Sequence, residues 1–212
     1  MGGRGAIGKS QRKTKSESKL SDFLLDAVVN NSDYNSNYTP NSYQIQDNIE
    51  EAEKSIMNEN IEHMYVFNEK GNRLYYKTSN SKINVLVTEE EKIMMNNNIV
   101  IHNHPSGNSF SLSDIKLFIT SNMKELRIIT NKGVKFTLKR SEKWDEKMSE
   151  DIEKSYNKLL LKAKRIYTKS KFNYNVDRIE SVRNKINRVL SKHNKNWLMF
   201  NASKYGYTYS EE

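Results

Sequence analysis

The chain contains no cysteine, and that absence removes disulfide bonds, thiolate metal sites and cysteine nucleophiles together. Any metal must therefore sit on His, Asp or Glu, and histidine is itself scarce, with four in 212 residues. No apolar run approaches the roughly 20 residues that span a bilayer. The opening stretch MGGRGAIGKSQRKTK also lacks the apolar middle of a signal peptide, so the expectation is a chain with no membrane span and a cytoplasmic location. Hydrophobic residues make up only 35% against 29% charged, so the apolar side chains must concentrate in one folded part and leave the rest solvated.

Charge is plentiful but unevenly placed. The net value of +9 divides into +5 over residues 1–20, −8 over 21–114 and +12 over 115–212. A basic C-terminal region can attract nucleic acid, an acidic protein or an anionic surface, and Lys-rich solvated helix faces give the same pattern. Composition alone does not separate these readings.

The pattern along the chain divides it in three. Residues 1–42 are rich in Gly, Ser, Lys and Asn and read as a flexible leader. Within it LSDFLLDAVV has helical spacing through Leu20, Phe23, Leu24 and Val28, with Ser21 as a cap, and NNSDYNSNYTPNS reads as a linker. Residues 43–140 carry alternating signals of helix and strand. An amphipathic helix is expected from Tyr43 to about Asn60 through Ile45, Ile49, Ala52 and Ile56; HMYVFN and RLYYKT form a hairpin around EKGN; SKINVLV is extended and TEEEKIMMNNN helical. IVIH reads as a buried strand, SLSDIKLFITSN as a helix capped by Ser111 or Ser113, and ELRIIT with VKFTLKR as a second hairpin through NKG. This alternation predicts a mixed α/β domain whose central sheet is flanked by helices. Residues 141–212 predict a basic helical extension, with one helix through Met148, Ile152, Tyr156 and Leu159, a second over Asp177 to Lys192, and a terminal WLMFNASKYGYTYSEE apolar enough to dock on a core.

Two of the four histidines stand two residues apart at the end of the apolar run, in IVIHNHPSGNSFSLSD. Side chains two apart on a strand share a face, so His102 and His104 point the same way and Asn103 the opposite way. Two imidazoles on one face grip a metal. Asp114, at the start of the following helix, supplies a third ligand and leaves one position open, the arrangement of a catalytic zinc whose bound water has a pKa near about 7. Gly107 provides a positive φ for the intervening turn. His63 and His193 have no such partners and are expected at the surface or half-buried.

HNHPSG followed by SLSD resembles the signature of the JAMM or MPN-type (JAB domain) zinc metalloproteases, and the wording HNHPSG is most similar to the RadC-like branch. The resemblance covers roughly residues 43–140. It implies a cytidine-deaminase-like JAB/MPN core, zinc held by His102, His104 and Asp114, an oxyanion-stabilising role for Ser111, and an upstream Glu as general acid/base. Glu62, forty residues before His102 at the head of a strand, fits that Glu better than Glu59 on the preceding helix or Glu69 in a hairpin turn. Five residues separate Pro105 from Ser111, which is one short of the family's usual loop. Taking Ser113 as the oxyanion donor would break the SxxD spacing.

The resemblance implies hydrolysis of a peptide or isopeptide bond, with an extended Gly-rich peptide or a ubiquitin-like protein as substrate. The Lys-, Asn-, Ile- and Tyr-heavy composition suits an AT-rich bacterial or phage genome, and a phage or mobile-element origin with a virion-associated role goes with it. Two other classes compete. One is a RadC-like nucleic-acid-binding accessory using the basic C-terminal region, and the other is a virion or mobile-element structural protein keeping a metal site for stability.

Overall fold

The hairpins and the buried IVIH strand assemble around a single sheet. A computed structural model describes residues 44–78, 85, 87–171 and 176–212, with side chains described outside 164–180 and 182–184. In chain order the elements are α1 (Ile49–Ile56), β1 (His63–Phe67), β2 (Arg73–Thr78), α2 (Glu89–Met95), β3 (Ile99–His104), α3 (Leu112–Thr120), β4 (Glu125–Thr130), β5 (Lys135–Arg140), α4 (Met148–Lys171), α5 (Val176–Tyr205) and β6 (Tyr207–Glu211). The leader helix, the Asn-rich linker and most of the expected SKINVLV strand lie outside the described residues.

The fold is mixed α/β. Its six strands run in the order β2-β1-β3-β4-β5-β6, and every neighbouring pair is antiparallel except β3 with β4. That parallel pair needs a crossover, and α3 supplies it. Both sheet faces are covered. Ala52 and Ile56 of α1 pack on one face against Tyr65, Phe67, Ile99, Ile101 and Ile129. On the other face Ile115, Phe118 and Ile119 of α3, Met148 and Ile152 of α4, and Leu198 and Tyr205 of α5 close over Met64, Val66, Val100, Leu126 and Ile128. Burial on both faces explains why β1 and β3 read as continuous apolar runs rather than alternating ones.

Local chemistry sets the element ends. Asn48 caps α1 by accepting from the Glu51 amide at 2.9 Å, and Thr88 forms a reciprocal capping box with Glu91 at the start of α2. The first hairpin turns at Gly71 and the second at Gly133, both with positive φ.

Three expectations need correction. The helix expected over 43–60 spans only Ile49–Ile56, because the carbonyls of Glu59 and Ile61 beyond it accept from the Asn103 side chain instead of continuing a helix. Glu59 therefore lies in the connection to β1 and not on the helix. The sheet also does not end at residue 140. Phe136 to Arg140 pair with Glu211 to Tyr207, and the helices of the C-terminal region share the core of the strands. The helical extension expected after 140 packs on the same core as the strands. Among the described residues, no helix is long and apolar enough to cross a membrane.

Candidate metal centre

β3 runs through the middle of the sheet and its C-terminal end opens into the loop before α3. Val100, whose side chain joins the core on the α3 side, shows that the even positions of β3 face that way. His102 and His104 therefore face the N-terminus of α3, where Asp114 occupies the third helical position.

The donor atoms converge. His102 Nε2 and His104 Nε2 stand 3.0 Å apart, His102 Nε2 lies 3.4 Å from Asp114 Oδ1, and His104 Nε2 lies 3.5 Å from Asp114 Oδ2. A tetrahedral zinc with bonds of about 2.0–2.1 Å requires ligand atoms roughly 3.3–3.4 Å apart. Each imidazole meets its own oxygen of Asp114 at close to that separation, the two imidazole nitrogens stand somewhat nearer to each other, and one donor atom from each residue lies within 4.8 Å of the others. These residues are the group of His, Asp or Glu able to hold a metal among the described residues.

Two of the three are held from behind. His104 Nδ1 donates to the Asn108 carbonyl at 2.9 Å, which fixes the tautomer and leaves the Nε2 lone pair directed at the ligand triangle. Asp114 Oδ2 accepts from the Ser111 amide at 2.7 Å, and Ser111 Oγ accepts from the Asp114 amide at 3.1 Å. This capping box orients the carboxylate and starts α3 with the same four atoms. Ser111 is exposed, and its hydroxyl accepts through a lone pair while keeping its own proton to donate.

The short loop between His104 and Ser111 is tied at several points. Gly107 adopts φ 70° and its amide donates to the His104 carbonyl at 3.0 Å. Asn131, from the β4–β5 turn, donates to the Pro105 carbonyl at 2.7 Å, and Asn194 of α5 donates to the Phe110 carbonyl at 3.1 Å. The C-terminal helix therefore braces the loop that carries the site.

Glu62 sits immediately before β1. The β1–β3 register pairs Met64 with His102, and continuing it sets Glu62 opposite His104 on the same face. The carboxyl is 6% exposed and is pushed up from 4.5 to about 7, chiefly by burial and further by the negative Asp114, against the opposing influence of His102 and of the Val85 amide that donates to it. Burial also works against the charge on Asp114, but the two imidazoles and the Ser111 bond outweigh it and hold its carboxyl well below the ordinary value. Burial favours neutral imidazole at both histidines. At His102 the Asp114 carboxylate wins and the pKa rises, whereas at His104 burial wins and it falls.

The alternatives fall away from this centre. Glu69 lies in the hairpin turn, paired with Lys124 at 2.6 Å, and Ser113 is exposed on α3. His193 is half-buried, as expected, with Nε2 3.2 Å from Ser155 Oγ. His63 departs from expectation because it is buried. It occupies the α1 side of β1, with Nδ1 2.8 Å from the Tyr76 hydroxyl and Nε2 3.7 Å from Glu59, and burial lowers its pKa to about 4. Asn131 and Asn194 carry no local sequence signal, since they lie 26 and 84 residues from the groups they hold. The chain matches no protein-family model, curated protein or solved structure in comparisons with known proteins.

Proposed function

We propose that this chain is a zinc-dependent hydrolase of peptide or isopeptide bonds, of the JAMM type that its motif resembles, with the sheet and helices as a JAB/MPN-like core. One observation carries the reading. Donor atoms of His102, His104 and Asp114 converge closely enough to hold one metal ion, and the register brings a buried carboxyl, Glu62, to the same face.

His102, His104 and Asp114 would hold the ion, two as neutral imidazoles and one as a carboxylate. A zinc ion bound there supplies Lewis-acid polarisation of a carbonyl and a water acidic enough to ionise near neutral pH. Glu62 accepts the proton of the attacking water on a carboxylate oxygen and returns it to the nitrogen of the departing amine, a task suited to a carboxyl whose pKa lies near about 7. The Ser111 hydroxyl donates to the carbonyl oxygen as negative charge develops on it. Asp114 stays ionised throughout, because two imidazoles and the Ser111 amide hold it so.

The test is the metal content of the purified protein, combined with cleavage of a panel of peptides and ubiquitin-like conjugates. The expected result is about one zinc per chain, cleavage abolished by chelation, and a Glu62→Gln protein that keeps zinc but does not cleave. Undiminished cleavage by Glu62→Gln, or by chelated protein, overturns the proposal.

A further inference from the structure

Asn103 lies between the two histidines and faces the other way. It is 1% exposed, and its amide bonds to the segment that leads into β1. Oδ1 accepts from the His63 amide at 2.7 Å, while Nδ2 donates to the Ile61 carbonyl at 2.9 Å and to the Glu59 carbonyl at 3.3 Å. These contacts take up both donors and one acceptor of the amide.

We infer that Asn103 is the positioning residue for Glu62, fixing where the acid/base carboxyl stands relative to the metal ligands. The inference rests on the hydrolase reading for what Glu62 does. It rests on three geometric facts for where Glu62 is held.

The first is the end of the ladder. The β1–β3 pairing stops at Met64 with His102, so beyond that point no strand hydrogen bond ties the two chains, and the Asn103 side chain takes over the main-chain groups of residues 59, 61 and 63. The second is the pattern of those groups. They flank Glu62 on both sides, and the Glu62 carbonyl itself accepts from Thr78 Oγ1 at 3.1 Å, so the main chain is held from both neighbouring strands while the side chain stays on the ligand face. The third is that the clamp grows from the strand that bears the ligands. Any displacement of β3 moves His102, His104 and, through Asn103, Glu62 together, so their separation is preserved.

The chemistry of the position is selective. Asp would keep the acceptor for the His63 amide but turn a carboxylate oxygen toward two carbonyls. Ala would leave all three main-chain groups without this partner, and Gln is longer by a methylene.

The test uses the full chain labelled with ¹³C-glutamate and loaded with cobalt(II), whose paramagnetism shifts nearby carbons. The Glu62 carboxyl resonance is assigned by its loss in Glu62→Gln. In the unsubstituted protein a large shift is expected at Glu62. In Asn103→Ala and Asn103→Asp that shift collapses, while the cobalt stoichiometry and the shifted ring protons of His102 and His104 are retained. If Asn103→Ala does not fold, Asn103→Asp, which keeps the bond to the His63 amide, carries the comparison. Variants that lose thermal stability yet keep the full Glu62 shift overturn the inference, since Asn103 would then be merely structural. An unsubstituted, cobalt-loaded protein with no shift at Glu62 overturns the hydrolase reading itself, and the inference with it.

Discussion

Glu62→Gln stabilises the metal-free protein at pH 8 and leaves its stability nearly unchanged at pH 4. The carboxyl is buried, and its pKa rises from 4.5 to about 7 on folding, mainly because burial penalises the charged form. A folded pKa above the unfolded one means that the native state binds the proton more tightly, so stability falls as pH rises from 4.5 to about 7 and is level above that. At about 1.4 kcal/mol per pH unit, this interval corresponds to about 3 kcal/mol lost by the wild type. Gln is near in shape and does not ionise, so the variant escapes the loss. The assay is urea denaturation of both proteins with chelator at pH 4, 5, 6, 7 and 8, taking the difference in unfolding free energy at each pH. Working with the difference cancels His63, whose pKa is lowered to about 4 and which destabilises both proteins as pH falls from 6.5. A bound divalent cation favours the carboxylate, so zinc should narrow the gap at pH 8. A gap that stays constant from pH 4 to pH 8 would falsify the placement of Glu62 as a buried carboxyl whose desolvation outweighs its favourable partners.

The remaining predictions concern the metal and the frame around it. Zinc at a hundred times its dissociation constant should stabilise the wild type by about 2.7 kcal/mol, and this increment should vanish in His104→Ala, with melting temperature as the readout. Asn194→Ala leaves the buried Phe110 carbonyl without that donor and should cost about 1–3 kcal/mol in denaturant titration, with weaker zinc binding that remains measurable; a change within error would remove α5 as the brace of the loop. Gly206→Ala places a Cβ 2.1 Å from the Lys143 carbonyl oxygen at a φ of 69°, so a loss of at least about 2 kcal/mol is expected, and an unchanged denaturation midpoint would contradict it. A chain ending at Arg140 lacks β6 and the core side chains of α4 and α5, and its NMR spectrum should show the narrow dispersion of an unfolded protein.

Much of the centre was legible because it is local. His102, His104, Ser111 and Asp114 fall within thirteen consecutive residues, and the alternation of a strand and the first turn of a helix determine where each side chain goes. Glu62 was legible only through the family resemblance, which calls for a Glu at the head of an upstream strand; the β1–β3 register then sets it opposite His104. The frame was harder to read. YTYSE at the end of the chain carries the composition of a strand, but pairing with β5 depends on α5 returning it to the sheet, and no local pattern encodes that path. His63 is buried because Tyr76 comes from the neighbouring strand and Glu59 from the connection, neither of which a single histidine announces. Asn103 had an ambiguous signal. A polar residue alternating with two histidines reads as a surface position unless the opposite face is known to be covered, and α1 and the segment after it cover it.

The covered face raises a question about what sets the register of β3. Ile99 and Ile101 face α1, and Val100 faces α3, so apolar residues lie on both sides of the strand. A slip by one residue exchanges the faces of every side chain. For the apolar part the exchange costs little, because either core accepts Val or Ile with modest repacking. For the polar tip it costs much more. It would turn Asn103 away from the carbonyls of Glu59 and Ile61 and the amide of His63, and it would drive both imidazoles into the α1 side, away from Asp114. Each abandoned buried partner is worth about 1–3 kcal/mol. The polar residues at the end of β3 therefore specify its register, and the same three side chains that would hold and align the catalytic groups also select the pairing that makes the site possible.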